Sequence, residues 1–337
     1  MSVYVVRRLL HLPISLLAVS AVVFFAVRLI PGDPIGIAAE TVRDPAEIAR
    51  IRHAFGLDRS LLEQYVSFLV GSVHGDFGRS YFSNAPVAGQ LWARLPATIE
   101  LAFAAMVVGL AVGLLMGLLP SLRPNSWLDT ATQAVGLTGV SVPPFVLGLV
   151  FIAIFSVWLR WLPVGGQFDS SQVLGPPGGR PMSDAIIFLD ARNLIVALRH
   201  LALPALTLGL FIAAFIARIT RVTVLEAMRQ NYVQTAHAKG LPARTVLLRH
   251  TLPNALPPIV TVTGLQFGSL LGGAVIVETV FSWPGLGKLL IDAINMRDYP
   301  QVAASVLLLA TIYAIVNLVV DLLYQRVDPR IRVGDPR

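Results

Sequence analysis

Six stretches of the chain contain no Asp, Glu, Lys or Arg: residues 9–27, 101–119, 130–159, 200–217, 251–277 and 299–320. A helix that crosses a bilayer needs about 20 mostly apolar residues, and none of these runs alternates apolar and polar positions as barrel strands do. In lipid every backbone N–H and C=O must be paired within the segment, so runs of this length predict helices. The pattern therefore predicts an all-α integral membrane protein with six transmembrane helices.

Charge sets the expected orientation. Arg7 and Arg8 precede the first run, and Arg218, Arg221, Arg229, Lys239, Arg244 and Arg249 stand between the fourth and fifth against the single acid Glu226. Arg326, Arg330, Arg332 and Arg337 follow the sixth. Threading six spans in order puts all three basic segments on one side, which the positive-inside rule makes cytoplasmic: N-in, C-in. The first run is longer than the apolar core of a signal peptide and lacks a small-residue cleavage site, so it reads as a signal anchor.

Two external segments are long. Pro31-Gly32-Asp33-Pro34 should stop the first span. Asp44-Pro45-Ala46-Glu47 reads as an N-cap, a first-turn proline and an acid, opening a helix that Gly56 ends. Ser60-Leu61-Leu62-Glu63 opens another, with Leu61, Leu62, Tyr65, Phe68 and Leu69 expected on one face. The second segment, 160–199, carries Gly165-Gly166 and a Gly/Pro run at 175–179, which predict irregular surface loop.

Composition agrees and narrows the chemistry. Only 13% of residues are charged and 55% are hydrophobic, against about a quarter charged in soluble domains. With no cysteine, disulfides, iron–sulfur clusters and thiol catalysis are excluded. The six histidines form no close ligand pair, so no metal site is expected. The net charge of +7 reflects arginines at membrane edges, and no nucleic-acid partner is expected. Asp76-Phe77-Gly78 matches a kinase magnesium string by coincidence, since no other kinase element is present.

The segment 218–257 carries the sharpest signal. Residues 222–239 are helix-forming, and Gly240 followed by Leu241-Pro242 predicts a stop and a fresh start, giving two short helices meeting at a glycine. Val224, Leu225, Met228 and Tyr232 are expected to share a buried face, with Arg229 and Gln230 facing water or a partner. As a plain basic segment it would set topology and meet anionic lipid.

Thr235-Ala236-His237-Ala238-Lys239-Gly240, followed by Leu252-Pro253, resembles the EAA loop of ABC importer membrane subunits. Further pieces, in order along nearly the whole chain, resemble the dipeptide and oligopeptide permease branch of that family. They are Arg7-Arg8-Leu9-Leu10 with Pro31-Gly32-Asp33-Pro34, Gly75-Asp76-Phe77-Gly78-Arg79-Ser80, Leu95-Pro96-Ala97-Thr98-Ile99-Glu100-Leu101, Glu278-Thr279-Val280-Phe281-Ser282-Trp283-Pro284-Gly285-Leu286-Gly287, Arg297-Asp298-Tyr299-Pro300 and Asp328-Pro329-Arg330. One position departs: Gln234, Thr235 and Ala236 stand where the loop's Glu-Ala-Ala is expected. The resemblance implies the type I ABC importer permease fold. It also implies an ATPase-coupling loop of Gln234, Thr235, Ala236, His237, Ala238, Lys239, Gly240, Leu241, Leu252 and Pro253 that docks on a separate ATPase subunit.

The chain has no phosphate-cradling GxxxxGK[ST] string, so it is expected to bind no cofactor and to carry no ATPase site of its own. ATP and Mg would be used by partner subunits. The resemblance implies a homologous second permease, one or two ABC ATPase subunits and an extracytoplasmic peptide-binding protein, in a bacterial cytoplasmic (inner) membrane. The implied cargo is short peptides, with nickel chelates, glutathione or other small solutes as the alternative. An ion-driven secondary transporter would need more intramembrane carboxylates, and an intramembrane enzyme would need a nucleophile or metal cluster.

Polar residues inside spans mark possible path or gate positions: Gln266, Glu278, Asn317 and Asp321. Asn317 and Asp321 share a helix face, where Arg326 could pair with the acid. Glu100 reads as an acid favoured near a helix start. Gly109, Gly113 and Gly117, and again Gly264, Gly268, Gly272 and Gly273, form small-residue stripes that permit close helix contact. The expected organisation is residues 1–30 as tail and first helix, 31–96 as an external cap, 97–325 as a five-helix core containing the loop at 218–257, and 326–337 as a cytoplasmic tail.

Overall fold

The computed structural model describes residues 2–29, 44–168 and 191–327. Pro31-Gly32-Asp33-Pro34, the 175–179 run, Asp328-Pro329-Arg330 and the side chains of Arg7, Arg8 and Arg326 lie outside the described residues. The described chain is helical: α1 (Ser2–Leu29), α2 (Pro45–Ala54), α3 (Leu61–Val73), α4 (Val87–Ser121), α5 (Trp127–Ser141), α6 (Pro144–Phe151), α7 (Ala191–Met228), α8 (Asn231–Ala238), α9 (Leu252–Val280), α10 (Leu286–Asn295) and α11 (Tyr299–Val327). Among the described residues, four helical stretches are each long and apolar enough to cross a membrane: Leu10–Leu29, Val87–Ser121, Ala191–Met228 and Tyr299–Leu322. Two bent helix pairs, Trp127–Gly139 with Pro144–Trp158 at 104° and Ala243–Leu270 with Gly272–Val280 at 51°, are together also long and apolar enough, and make six spans if each pair is one. All six apolar runs are thus accounted for. The bend in the third span falls at Val142-Pro143-Pro144, where proline removes donors and disfavours helix in the residue before it.

Two compact units emerge, residues 1–98 with 284–314 and residues 99–283 with 315–337. In the first unit the expected caps form. Ser60 Oγ accepts from the Glu63 N–H at 3.3 Å while Glu63 Oε2 accepts from the Ser60 N–H at 3.0 Å, a reciprocal capping box that starts α3. The Ala46 N–H donates to Asp44 Oδ1 at 2.9 Å at the head of α2, and Gly56, at φ +66°, closes that helix with Leu57 N–H on the Arg52 carbonyl. The buried face of α3 is narrower than expected. Tyr65 and Phe68 stack on Phe24 of α1 with ring centroids 5.2 and 5.8 Å apart, while Leu61 and Leu62 are exposed.

Two of the separated sequence pieces meet here. Asp298, almost fully buried, accepts from the Ser80 hydroxyl and from the Tyr81 N–H at 3.1 Å. Gly75 and Gly78 take positive φ around an Asp76 turn whose Oδ1 accepts from the Gly78 N–H at 2.9 Å. That string is therefore a structural turn, and Phe77 packs from it against Val87, Leu91 and Leu286. Leu286 N–H, at the start of α10, donates to the buried Thr98 Oγ1 at 2.8 Å.

In the second unit α7 is the central strut, buried along much of its length. The first glycine stripe seats it. A Cβ built on Gly109, Gly113 or Gly117 would come within 2.4, 2.7 and 2.5 Å of Ile212, Ile216 and Thr220. The matching order of the two series means that α4 and α7 run parallel, as the second and fourth spans of a threaded bundle must. The second stripe behaves differently. Gly264 abuts Val320, but a Cβ on Gly272 or Gly273 would meet nothing within 4 Å. Those two lie where α9 bends, a place where glycine commonly permits a kink.

Two expectations about the second unit are corrected. Residues 160–168 are irregular but packed: Gly166 N–H donates to the Phe281 carbonyl at 2.8 Å, and a Cβ on Gly165 would sit 2.2 Å from that oxygen. Glu100 is no first-turn acid, because α4 begins at Val87 and runs through Pro96. It lies mid-helix and accepts from the buried Gln167 Nε2 at 2.8 Å.

Candidate coupling site

Residues 222–239 do not form the single helix expected. Val224 and Ala227 are buried against Ala255 and Ile259, which fixes the face that α7 turns inward. Val233 lies nine positions after Val224, which at about 100° per residue is the opposite side of a continuous helix. It is nevertheless buried, with Ala236 and Val246. The chain reconciles the two demands by breaking. Arg229 and Gln230 N–H groups turn back on the Glu226 and Ala227 carbonyls at 3.2 Å, Gln230 becomes extended, and α8 restarts at Asn231. Tyr232, expected on the buried face, is consequently 41% exposed.

The glycine works as its position implied. Gly240 adopts φ +74°, and the Leu241 N–H reaches back to the Ala236 carbonyl at 3.3 Å, a Schellman closure of α8. Pro242 is extended, and its carbonyl accepts from Thr245 and Val246 at 2.8 and 3.1 Å, which opens the next helical turn. That turn, Ala243–Thr245, widens into a π-helical stretch, Val246–Thr251, and runs into α9.

The result is a short helix held from beneath by two side chains and open above. Gln234, Thr235, His237, Ala238, Lys239, Gly240, Leu241 and Pro253 are exposed, Leu252 is half-buried, and Ala236 is buried as an anchor beside Val233. Gln234, standing where an acid was expected, donates its side-chain amide back to the Arg229 carbonyl at 3.4 Å. Arg229, Lys239, Arg244 and Arg249 are also exposed, so the open surface is cationic.

The path candidates are dispersed. Gln266 is half-buried and accepts from the Ser269 hydroxyl at 3.0 Å. Asn317 and Asp321 are half-buried on α11, which approaches α9 closely at Val320 and Gly264. Glu278 lies beyond the bend in α9 and is fully buried, its carbonyl accepting from Trp283 N–H at 2.7 Å.

One pair escaped the sequence reading. Arg221 donates from Nε to Asp129 Oδ1 at 2.6 Å and from Nη2 to Oδ2 at 2.8 Å. Asp129 is 1% exposed and also accepts from Asn125 N–H at 2.9 Å and from Gln133 Nε2 at 3.1 Å. Arg221, one of the arginines expected in the loop after the fourth span, lies instead inside α7. The available signal was Ser126, whose hydroxyl caps α5 by accepting from Asp129 N–H, beside a lone acid at the edge of an apolar run.

Residues 109–333 match the family described as binding-protein-dependent transport system inner membrane component, and residues 1–102 match the N-terminal part of such membrane components. The chain belongs to this family. A di/tripeptide transport system permease protein of Pseudomonas aeruginosa is 43% identical over 330 residues, 98% of each chain. A dipeptide transport system permease protein of Alkalihalophilus pseudofirmus is 39% identical, covering 98% of this chain and all of that one. A glutathione transport system permease protein of Escherichia coli K12 is 40% identical over 98% of both. Among solved structures, the inward-facing MetNI methionine ABC transporter aligns with a TM-score of 0.54 at 20% identity, covering 71% of this chain and 96% of that chain. That likeness gives the permease the fold of an ABC importer membrane subunit. Members of the family are transport components, and the several apolar helices make this one a membrane protein.

Proposed function

We propose that this permease is one of two membrane-spanning subunits of an ATP-driven importer of short peptides. It forms half of the translocation path, and α8 with its Gly240 turn is the coupling helix that docks on a separate ATPase. The observation that carries the reading is the geometry of that segment: eight residues anchored by Val233 and Ala236, with an exposed cationic upper surface. Lys239, Gly240 and Leu241 form its tip, with Leu252 and Pro253 at the head of α9. A homologous second permease completes the path, an extracytoplasmic peptide-binding protein delivers cargo, and ATP with Mg is bound and hydrolysed by the partner ATPases. The assembly sits in the bacterial cytoplasmic membrane with both termini inside. Residues 31–96 serve as its external cap and 97–325 as its core; the separate family matches to 1–102 and 109–333 support a boundary near residue 100. Nucleotide-driven alternation between inward-open and outward-open states moves the cargo, with Gln266, Glu278, Asn317 and Asp321 as path or gate positions.

Short peptides are favoured because the di/tripeptide and dipeptide relatives match across nearly the full chain. Glutathione, itself a tripeptide, is the second reading, supported by the Escherichia coli relative. Uptake of labelled di- and tripeptides and of glutathione by a deletion strain decides between them. Loss of peptide uptake is expected, and unchanged peptide uptake with lost glutathione or nickel-chelate transport would overturn the assignment.

A further inference from the structure

The Asp129–Arg221 pair lies outside the segment proposed to dock, yet it joins two elements that the proposed coupling cycle must move together. Arg221 lies two turns before the end of α7, and α8 hangs from that end through Arg229 and Gln230. The same end is locked to the start of α9 by Val224, Ala227, Ala255 and Ile259. Force entering α8 is therefore delivered to Arg221. On the other side Asp129 is the third residue of α5, a helix that packs along α7 and ends at the 104° bend of the third span. Toward its far end α5 also lies against α7, where a Cβ on Gly139 would fall 3.7 Å from Ala214 Cβ, an ordinary van der Waals distance. The near end is gripped by a bidentate ion pair, 1% exposed on the acid side, with both carboxylate oxygens further satisfied by Asn125 and Gln133. A bidentate guanidinium–carboxylate contact fixes orientation as well as distance. Breaking it within the fold would leave a buried charge uncompensated.

We infer that Asp129 and Arg221 are positioning residues that make α5 follow the coupling helix, so that force received at α8 reaches the first limb of the bent third span. The inference rests on the coupling role proposed for α8. Its content is that α5 and the inner end of α7 move as one body through the ATP cycle, with the bend at Pro143-Pro144 taking up the motion.

The chain contains no cysteine, so two introduced cysteines are its only labelling sites, and parallel labelling of the assembly with the parental chain reads any signal from the partner subunits. Leu128 and Val222, neighbours of the pair in sequence, are 38% and 40% exposed. In the assembled transporter, spin labels at Leu128→Cys and Val222→Cys should keep one spacing between nucleotide-free and vanadate-trapped states. A spacing that changes between those states overturns the inference, and this measurement needs no disruptive variant. Asp129→Asn, which preserves shape and removes the charge, should leave ATP hydrolysis by the assembled complex near parental. Cargo moved per ATP should fall about tenfold, within the usual range of coupling free energies. Arg221→Lys, which keeps the charge and loses the fork, should recover part of that ratio. Parental transport per ATP in Asp129→Asn would refute the link, as would hydrolysis and transport falling together. Failure of the underlying reading looks different: ATPase subunits would still copurify when Lys239→Glu is combined with Thr235→Arg on the surface of α8.

Discussion

Adding one methyl group at Gly109 tests whether the glycine stripe is what seats α7. A Cβ there would lie 2.4 Å from both Cδ1 and Cγ1 of Ile212 and 3.1 Å from the Gly209 carbonyl. Ile212 is 1% exposed, so its side chain has no free volume to swing into. Gly109→Ala should therefore cost about 1–3 kcal/mol of overpacking, partly offset by a helix-propensity gain of about 0.5–1 kcal/mol. Gly136→Ala in α5 is the matched control, since its Cβ would meet nothing within 4 Å and only the gain remains. Ile212→Ala alone should cost about 2–5 kcal/mol by opening a cavity. Combining it with Gly109→Ala removes both clashing atoms and fills part of that cavity, so the double variant should be more stable than the sum of the singles by at least about 1 kcal/mol. Reversible unfolding in mixed detergent and dodecyl sulfate micelles measures all four. Additive effects within about 0.5 kcal/mol, or a Gly109→Ala variant as stable as Gly136→Ala, would refute the argument that close approach at this glycine orders the two helices.

Gly240 poses a different question, because a Cβ there meets open space and only the positive φ resists substitution. Gly240→Asp should cost at most about 1–2 kcal/mol, insert normally and lower uptake through the altered docking surface; normal uptake would count against the coupling role. In the turn before α4, burial pushes the Tyr81 phenol up to about 12, from an ordinary value of about 10. The fold favours the neutral phenol, so that stabilisation is complete below about pH 10 and is lost as pH rises through about 12. An ultraviolet difference titration against Tyr81→Phe should place this ionisation near the upper value, and ionisation near 10 would mean that the phenol is solvated.

Much of the architecture follows from local chemistry that a linear reading can follow. Six charge-free runs specify spanning helices because lipid offers the backbone no other partner. The Ser60–Glu63 box and the Gly56 and Gly240 terminations are equally legible, since each is satisfied within a few residues. The stripe at Gly109, Gly113 and Gly117 announced a close contact; that α7 was its partner lay outside what spacing can say. Tertiary packing alone decided the break after Met228, because Val224 and Val233 had to be buried on faces that one continuous helix sets opposite each other. It alone brought Asp129 to Arg221 across ninety-two positions, and Ser80 to Asp298 across more than twice that. Glu100 and Gln167 found each other in the same way. The reason is common to all of these pairs: a polar group's partner, when it is distant in sequence, is chosen by the crossing of helices whose spacing is set by apolar and glycine contacts. Periodicity within one helix encodes which face turns inward, while the identity of what meets that face exists only once the helices have packed.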